Sequence, residues 1–232
     1  MKLINKLFII ALVLGFAMSC ENTELDLLAN PNAVTPENAS LNDLYNSVQL
    51  QFRNTYNSAQ GTPGAMSRMY HAGAFTYQAS VTDATFNGLW NTAYSQLFPD
   101  VDALVNLAEA NGFDIHAGSA KIMKAYTLMV LADLFGDVPN SEALQGTDVI
   151  SPAADPGSAV YASAVALLDE AIAQMGSTNA AAPSYDSFFG GSTTGWIKFA
   201  NTLKLRAALN TGDASTINSL VSGGNIITSA AD

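Results

Sequence analysis

The chain has 232 residues, with nine lysines and arginines against twenty aspartates and glutamates, a formal net charge of −11, one cysteine and two histidines. That balance repels phosphate backbones and anionic headgroups, whose recognition needs clustered Lys and Arg, so nucleic acid is excluded as a partner class. A single cysteine excludes a disulfide within the chain, and His71 and His116 lie far apart without Cys or His at zinc-ligand spacing, so no metal site or cofactor is expected.

In chain order, Lys2 and Lys6 form a small positive n-region, Leu7 to Met18 is almost wholly apolar, and Ser19-Cys20 follows with Ala17 three residues before the cysteine. The apolar run is shorter than the roughly twenty residues that cross a bilayer, so residues 1–19 are expected to be a cleaved secretory signal with a lipobox-like end. Cys20 then has two readings. It is a small residue at a cleavage site, or its thiolate takes up a diacylglyceryl group and its acyl chains hold the protein at a membrane, at about 0.8 kcal/mol per buried methylene. The second is the expectation. Removing nineteen residues removes two lysines and no acids, leaving 213 residues with seven basic and twenty acidic side chains, a formal charge of −13. Such a surface suits a neutral ligand better than a polyanionic one. Residues 20–39 read as a tether and lead-in loop, with Asn30-Pro31-Asn32 and Thr35-Pro36 as turn signals.

Residues 40–232 read as amphipathic helices. The first starts at the N-cap Ser40 and carries Leu41, Leu44, Tyr45, Val48 and Phe52 on one face. Gly61 to Ser80 breaks the periodicity and is expected to form a long loop. A second helix carries Phe86, Leu89, Trp90, Ala93, Tyr94 and Leu97 and is stopped by Pro99; a third runs from Asp100 to Asn111. The fourth, Lys121 to Phe135, is apolar on more than one side and is capped by Gly136. Ser158 to Met175 is the fifth, ended by Gly176. Thr194 is the candidate cap of the sixth, Trp196 to Leu209, and Asp213 that of a short seventh. No run of alternating strands is visible. The economical architecture is an all-α set of antiparallel helix pairs with long loops, each pair burying its stripe against a neighbour.

Several of these segments carry a resemblance. Leu131 to Pro139, ending in Gly136-Asp137-Val138-Pro139 and followed by Asn140 to Leu144, resembles the signature of SusD/RagB nutrient-binding lipoproteins of the bacterial outer membrane. Trp90 to Tyr94 is similar to that family's early aromatic helix, and Asp155-Pro156 with Tyr161 and Leu167 to Ile172 to its next repeat. Asp186 to Gly191 and Trp196 to Arg206 are similar to the loop and helix that follow. The resemblance implies a SusD-like bundle of tetratricopeptide-like helix pairs. Glu21, Glu24 and Asp26 after Cys20 are similar to the surface-export signal of Bacteroidetes lipoproteins, which implies an outward-facing, lipid-anchored protein of the outer membrane. It also implies a role as a lid that hands ligand to a SusC-like TonB-dependent barrel. Family members usually run to about twice this length, so the helical domain is expected to be incomplete at its C-terminus, as a fragment, a truncated gene or a reduced variant.

The residues themselves give no catalytic constellation. His71 and His116 read as loop or surface histidines. Asp133 and Asp137 lie four apart, but Gly136 ends the helix between them, and Asp137 is expected to organise the Gly-Asp-Val-Pro turn through its own backbone hydrogen bonds. Asp169-Glu170 reads as a solvated helix face rather than a glycosidase pair. Gly190-Gly191 and Gly223-Gly224 lack the lysine of a phosphate loop.

Binding is the better expectation. A sugar presents flat apolar faces edged by hydroxyls, and is captured by exposed aromatic rings beside amides, carboxylates or an arginine. Two irregular segments hold that mixture: Arg68, Tyr70, His71, Phe75 and Tyr77 in one, Tyr185, Asp186, Phe188 and Phe189 in the other. Arg68, Tyr70, His71, Tyr77 and Tyr185 are the candidate ligand residues, against the plainer view that the loop aromatics pin these segments to the core. Trp90 and Trp196 sit at core spacing and are assigned to packing. The expected function is capture of an oligosaccharide without turnover, a peptide being a close variant. The alternatives are a helical scaffold lipoprotein that binds only protein partners or peptides, and a lipid-anchored hydrolase, which no carboxylate spacing supports.

Overall fold

The structure, a computed structural model, describes residues 40–69, 71, 82–176 and 180–229. Among the described residues there are seven α-helices: α1 (Leu41–Met66), α2 (Asn87–Thr92), α3 (Phe98–Ala110), α4 (Asp114–Phe135), α5 (Gly157–Gly176), α6 (Thr193–Thr211) and α7 (Ala214–Gly223). Among the described residues the only extended pairing is a single antiparallel bridge between Val138 and Asp155. The expected all-α architecture of tetratricopeptide-like helix pairs is what the chain adopts.

Side-chain pairs fix the helix directions. Asp102 and Glu109 of α3 meet Lys124 and Lys121 of α4, so the two run antiparallel. Lys121, early in α4, pairs with Glu170, late in α5, while Asp133, late in α4, accepts from Tyr161, early in α5. Asp169 of α5 pairs with Lys204 of α6, and Tyr161 accepts from Asn210 near the end of α6. Asp169 and Glu170 thus form a solvated face whose two carboxylates tie α5 to different neighbours. Exposed pairs of this kind contribute only about 0–1 kcal/mol each, so they set register more than stability.

Stability comes from the core around α4. Leu44, Tyr45, Val48, Phe52, Leu104, Ile122, Leu128, Leu131, Leu168 and Trp196 are buried in one cluster. Each large side chain taken from water contributes roughly 1.5–3 kcal/mol. Trp196 is fully covered and Trp90 is half-buried, stacked on Tyr94 with ring centroids 5.0 Å apart, so both tryptophans pack as expected.

Four boundaries differ from the periodicity. The first helix does not end before Gly61 but continues to Met66, with Pro63 inside it. Ala59 packs on the core, and Tyr56 and Pro63 share a recess with Val130 and Leu134 of α4, so tertiary contact carries the helix through weak helix formers. Pro99 does not stop the second helix. Ala93–Leu97 forms a π-turn in which the Phe98 N–H bonds back to Ala93, and the helical backbone passes straight into α3. A widened turn is where a helix absorbs the hydrogen bond that proline cannot donate. The fourth helix begins at Asp114, seven residues before Lys121, because Ile115, Ala117 and Ala120 are buried. Ser192, not Thr194, caps α6, its Oγ accepting from Gly195 N–H at 3.1 Å. The caps at Ser40 and Asp213 are as read.

His116 is corrected with the fourth helix. Rather than loop or surface, it is 3% exposed and edge-on to Tyr45 and Phe113, at 5.1 and 5.5 Å. Neither ring nitrogen has a hydrogen-bond partner among the described residues, and burial pulls its pKa down. His71 is exposed.

The corner between α4 and α5 is built reciprocally. Gly136 takes φ +77° at the end of α4. Val138 and Asp155 exchange backbone hydrogen bonds of 3.1 and 3.0 Å. The Asp155 carboxylate accepts from the backbone N–H and hydroxyl of Ser141 and from Asn140 N–H, which hold it below its usual range, the Ser141 backbone most of all. Asp137 does not bond within its own turn; its carboxylate accepts from Gly157 N–H at 3.0 Å and so caps the start of α5. A short side chain at a helix N-terminus finds orphan donors there that the turn does not offer.

Two outcomes follow for the folded state. A Cβ at Gly157 would lie 2.9 Å from the Gly136 carbonyl oxygen, backbone that cannot swing aside. Gly157→Ala should therefore cost about 1–3 kcal/mol, seen as a lowered midpoint in thermal denaturation followed by circular dichroism. For His116, the unfolded chain takes up a proton near pH 6.5 while the folded chain resists, so stability is fully present above that pH and falls as pH drops towards 5. His116→Leu should flatten that part of the stability profile in urea titrations at neutral and mildly acid pH; an unchanged slope would show that His116 does not supply it.

Candidate glycan-binding surface

Antiparallel pairing brings the end of α4, the start of α5 and the end of α6 to one end of the bundle. Four polar side chains meet there. Asp133 accepts from the Tyr161 hydroxyl and from the Arg206 guanidinium, and Tyr161 in turn accepts from Asn210 Nδ2 at 2.8 Å. Arg206 and Asn210 are four apart on α6 and so share a face. Burial, followed by the hydrogen bond to Asp133, raises the Tyr161 pKa, so the phenol stays protonated and donates. The four line a cleft of about 610 Å³ with Ser158 and Thr211.

The ion pair divides this cleft from a smaller recess of about 180 Å³, which it lines from the other side with Tyr56, Gln60 and Tyr126. The Arg206 guanidinium stands 5.8 Å over the Tyr126 ring, and Tyr56, 45% exposed, lies 6.4 Å from Tyr126. Arg206 and Asp133 neutralise each other, so the surface presents amide, hydroxyl and guanidinium donors beside aromatic rings without net charge. That combination recognises hydroxyl-rich neutral molecules with an apolar face.

The residues singled out from sequence fall as follows. Tyr185 is 71% exposed. Its loop is held by Gln49, a buried amide on α1 that donates to the Tyr185 carbonyl at 2.8 Å and accepts from Ser187 N–H at 2.7 Å. The Asp186 carboxylate accepts from Phe188, Phe189 and Gly191 N–H and from Trp196 Nε1. Phe189 packs 4.9 Å from Trp196 and Phe188 5.5 Å from Phe52, so these two rings pin the loop to the core while Tyr185 stays outside. Arg68, at φ +60°, and His71 are both exposed just beyond the end of α1. Seventeen residues of helix separate Gln49 from Met66, about 25 Å, so Arg68 and Tyr185 sit at different heights along α1. Cys20, Tyr70, Phe75 and Tyr77 lie outside the described residues.

Sequence reasoning did not assemble Asp133, Tyr161, Arg206 and Asn210. One signal was present: Asp133 is the only charged residue between Lys124 and Phe135 on a helix buried along most of its length. Among the described residues no group of three or more His, Cys, Asp or Glu could hold a metal ion, and no helix is long and apolar enough to cross a membrane.

Known proteins frame this geometry. Residues 30–232 match the model of a SusD-like family described as starch-binding and associating with the outer membrane. A SusD/RagB family protein from Bacteroides thetaiotaomicron aligns with a TM-score of 0.61 at 23% identity over 83% of this chain and 44% of its own. A chitin-binding SusD homolog from Flavobacterium johnsoniae aligns with a TM-score of 0.56 at 20% identity over 79% of this chain and 42% of its own. The chain thus spans less than half the length of these solved structures. No curated protein matches it. With most of its length matched, its fold shared and its Gly-Asp-Val-Pro corner in place, the chain belongs to the SusD-like family.

Proposed function

We propose that this protein captures a neutral nutrient oligosaccharide at the outer face of the outer membrane and passes it, unaltered, to a SusC-like TonB-dependent barrel. The observation that carries the reading is the uncharged cleft of Asp133, Tyr161, Arg206 and Asn210 beside the exposed ring of Tyr56, in a chain whose family is described as starch-binding. Two solved relatives named as chitin-binding support the choice of a glycan over a peptide. Residues 1–19 serve as the export signal and Cys20 as the lipid anchor, with residues 20–39 as tether. Arg68, Tyr70, His71 and Tyr77 extend the ligand surface beyond the end of α1, and Tyr185 does so from the loop before α6.

Capture without hydrolysis fits the carboxylates. Asp133 is occupied by Tyr161 and Arg206, and Asp169 and Glu170 by lysines, whereas glycoside cleavage needs two carboxyl groups free to flank one bond at about 5–10 Å. The test is calorimetric titration of the chain with starch-derived and chitin-derived oligosaccharides. Saturable binding should appear with at least one series, with no new reducing ends on prolonged incubation. Arg206→Ala should weaken it about tenfold, or 1.4 kcal/mol. Binding of peptides with none of either glycan would favour the scaffold alternative.

A further inference from the structure

We propose that a separate recess, between the helix around Trp90 and the loop that follows Pro139, docks an extended, proline-containing and positively charged peptide segment of a partner protein. Trp90, Asn91, Tyr94 and Ser95, from α2 and the π-turn after it, form one wall, and Pro139, Leu144 and Pro152 the other, around about 410 Å³. None of these residues lines the Arg206 cleft or the recess beside it, so the site stands apart from the glycan reading.

The loop wall is fixed within the chain itself. Tyr94 Oη donates to the Pro139 carbonyl at 2.7 Å, Glu142 accepts from Ala153 N–H at 2.9 Å, and Gln145 Nε2 donates to the Ser141 carbonyl at 3.0 Å. Leu144 is held there at φ +64°, a left-handed conformation that a residue with a Cβ keeps only when its surroundings impose it. Leu144 is nonetheless 45% exposed, so the strained turn does not serve the core; it sets an apolar side chain in the recess. Ile150 of the same loop is 89% exposed. An apolar rim of this kind marks a contact surface.

The lining selects peptide over sugar. A sugar needs open ring face, whereas Trp90 is stacked on Tyr94 at 5.0 Å and 15° and packed against Phe135 at 5.0 Å. What remains is ring edge, an indole N–H, the Asn91 carboxamide and the Ser95 hydroxyl. A polyproline II segment suits that set, because its rings pack on aromatic and proline walls while its carbonyls, unbonded within the chain, accept from such donors. Its conformation is already extended, so little entropy is lost on docking.

Charge fixes the rest of the partner. No lysine or arginine occurs between Arg68 and Lys121 or between Lys124 and Lys198, so neither wall carries a cation. The loop side carries Asp137, Glu142, Asp148 and Asp155. Burial first and then the Asp155 charge raise the Tyr94 pKa, which puts that carboxylate within electrostatic reach of the recess. A segment with lysine or arginine beside its prolines is complementary; an acidic one is repelled.

The experiment titrates the chain into three fluorescein-labelled decapeptides by fluorescence anisotropy: alternating proline and arginine, alternating alanine and arginine, and alternating proline and glutamate. The first should bind with a Kd of about 100 µM or tighter, and the other two at least about tenfold more weakly. Leu144→Gly, which accepts the positive φ, and Asn91→Ala, at an exposed position, should each weaken the first peptide about fivefold with melting curves unchanged. Glu142→Gln keeps an acceptor for Ala153 and should weaken it about threefold, a deficit that fades as salt rises. Equal binding of the proline–arginine and alanine–arginine peptides overturns the proposal, as does binding untouched by both Leu144→Gly and Asn91→Ala. Displacement of the peptide by maltohexaose or chitohexaose, or no binding of the first peptide up to about 1 mM, overturns it as well.

Discussion

Two backbones touching with no side chain between them hold the arrangement together. Gly157 approaches Gly136 so closely that even a methyl group has no room, and around that contact Val138 and Asp155 exchange hydrogen bonds while Asp137 caps the helix that starts beside it. The contact fixes where α5 begins relative to the end of α4. Tyr161 lies one turn into α5 and Asp133 two residues before the end of α4, so the corner decides that these two meet. Arg206 and Asn210 then join them because α6 returns along α5. A corner that opened by a few ångströms would leave the core largely intact and the polar cluster in pieces.

How far this could be read in advance depends on the range of the interaction. Caps that act within four residues, at Ser40, Gly136 and Asp213, were legible because donor and acceptor lie in one short stretch. The Gly-Asp-Val-Pro corner was recognisable as a unit, although the partner of Asp137 was not, since Gly157 is twenty residues away. Helix limits failed where tertiary burial outweighs propensity. Gly61 and Pro63 speak against a helix that Tyr56 and Ala59 keep in place, and the stretch before Lys121 is helical because its apolar residues are covered.

The polar cluster was the least legible part. Asp133 and Arg206 are separated by 73 residues, and neither sits in a motif that names the other. Only an acid isolated on an apolar helix hinted that a partner must come from elsewhere. The aromatics of the second loop divided in a way that composition could not foresee, with Phe189 packed on Trp196, Phe188 touching Phe52 while 40% exposed, and Tyr185 left outside on backbone held by a buried glutamine. Side chains of one chemical kind were sorted by which backbone atoms Gln49 and Asp186 could reach.

The first helix has a mechanical consequence. Gln49, Phe52 and Tyr56 share one face, the first hydrogen-bonded to the loop before α6 and the other two in ring contact with Tyr126, which lines the recess beside the polar cleft. A helix transmits displacement along its axis almost without loss, because every peptide is hydrogen-bonded to the next turn. A small roll of α1 would therefore carry all three attachments together, so the loop before α6, the core ring and the cleft wall keep one common register.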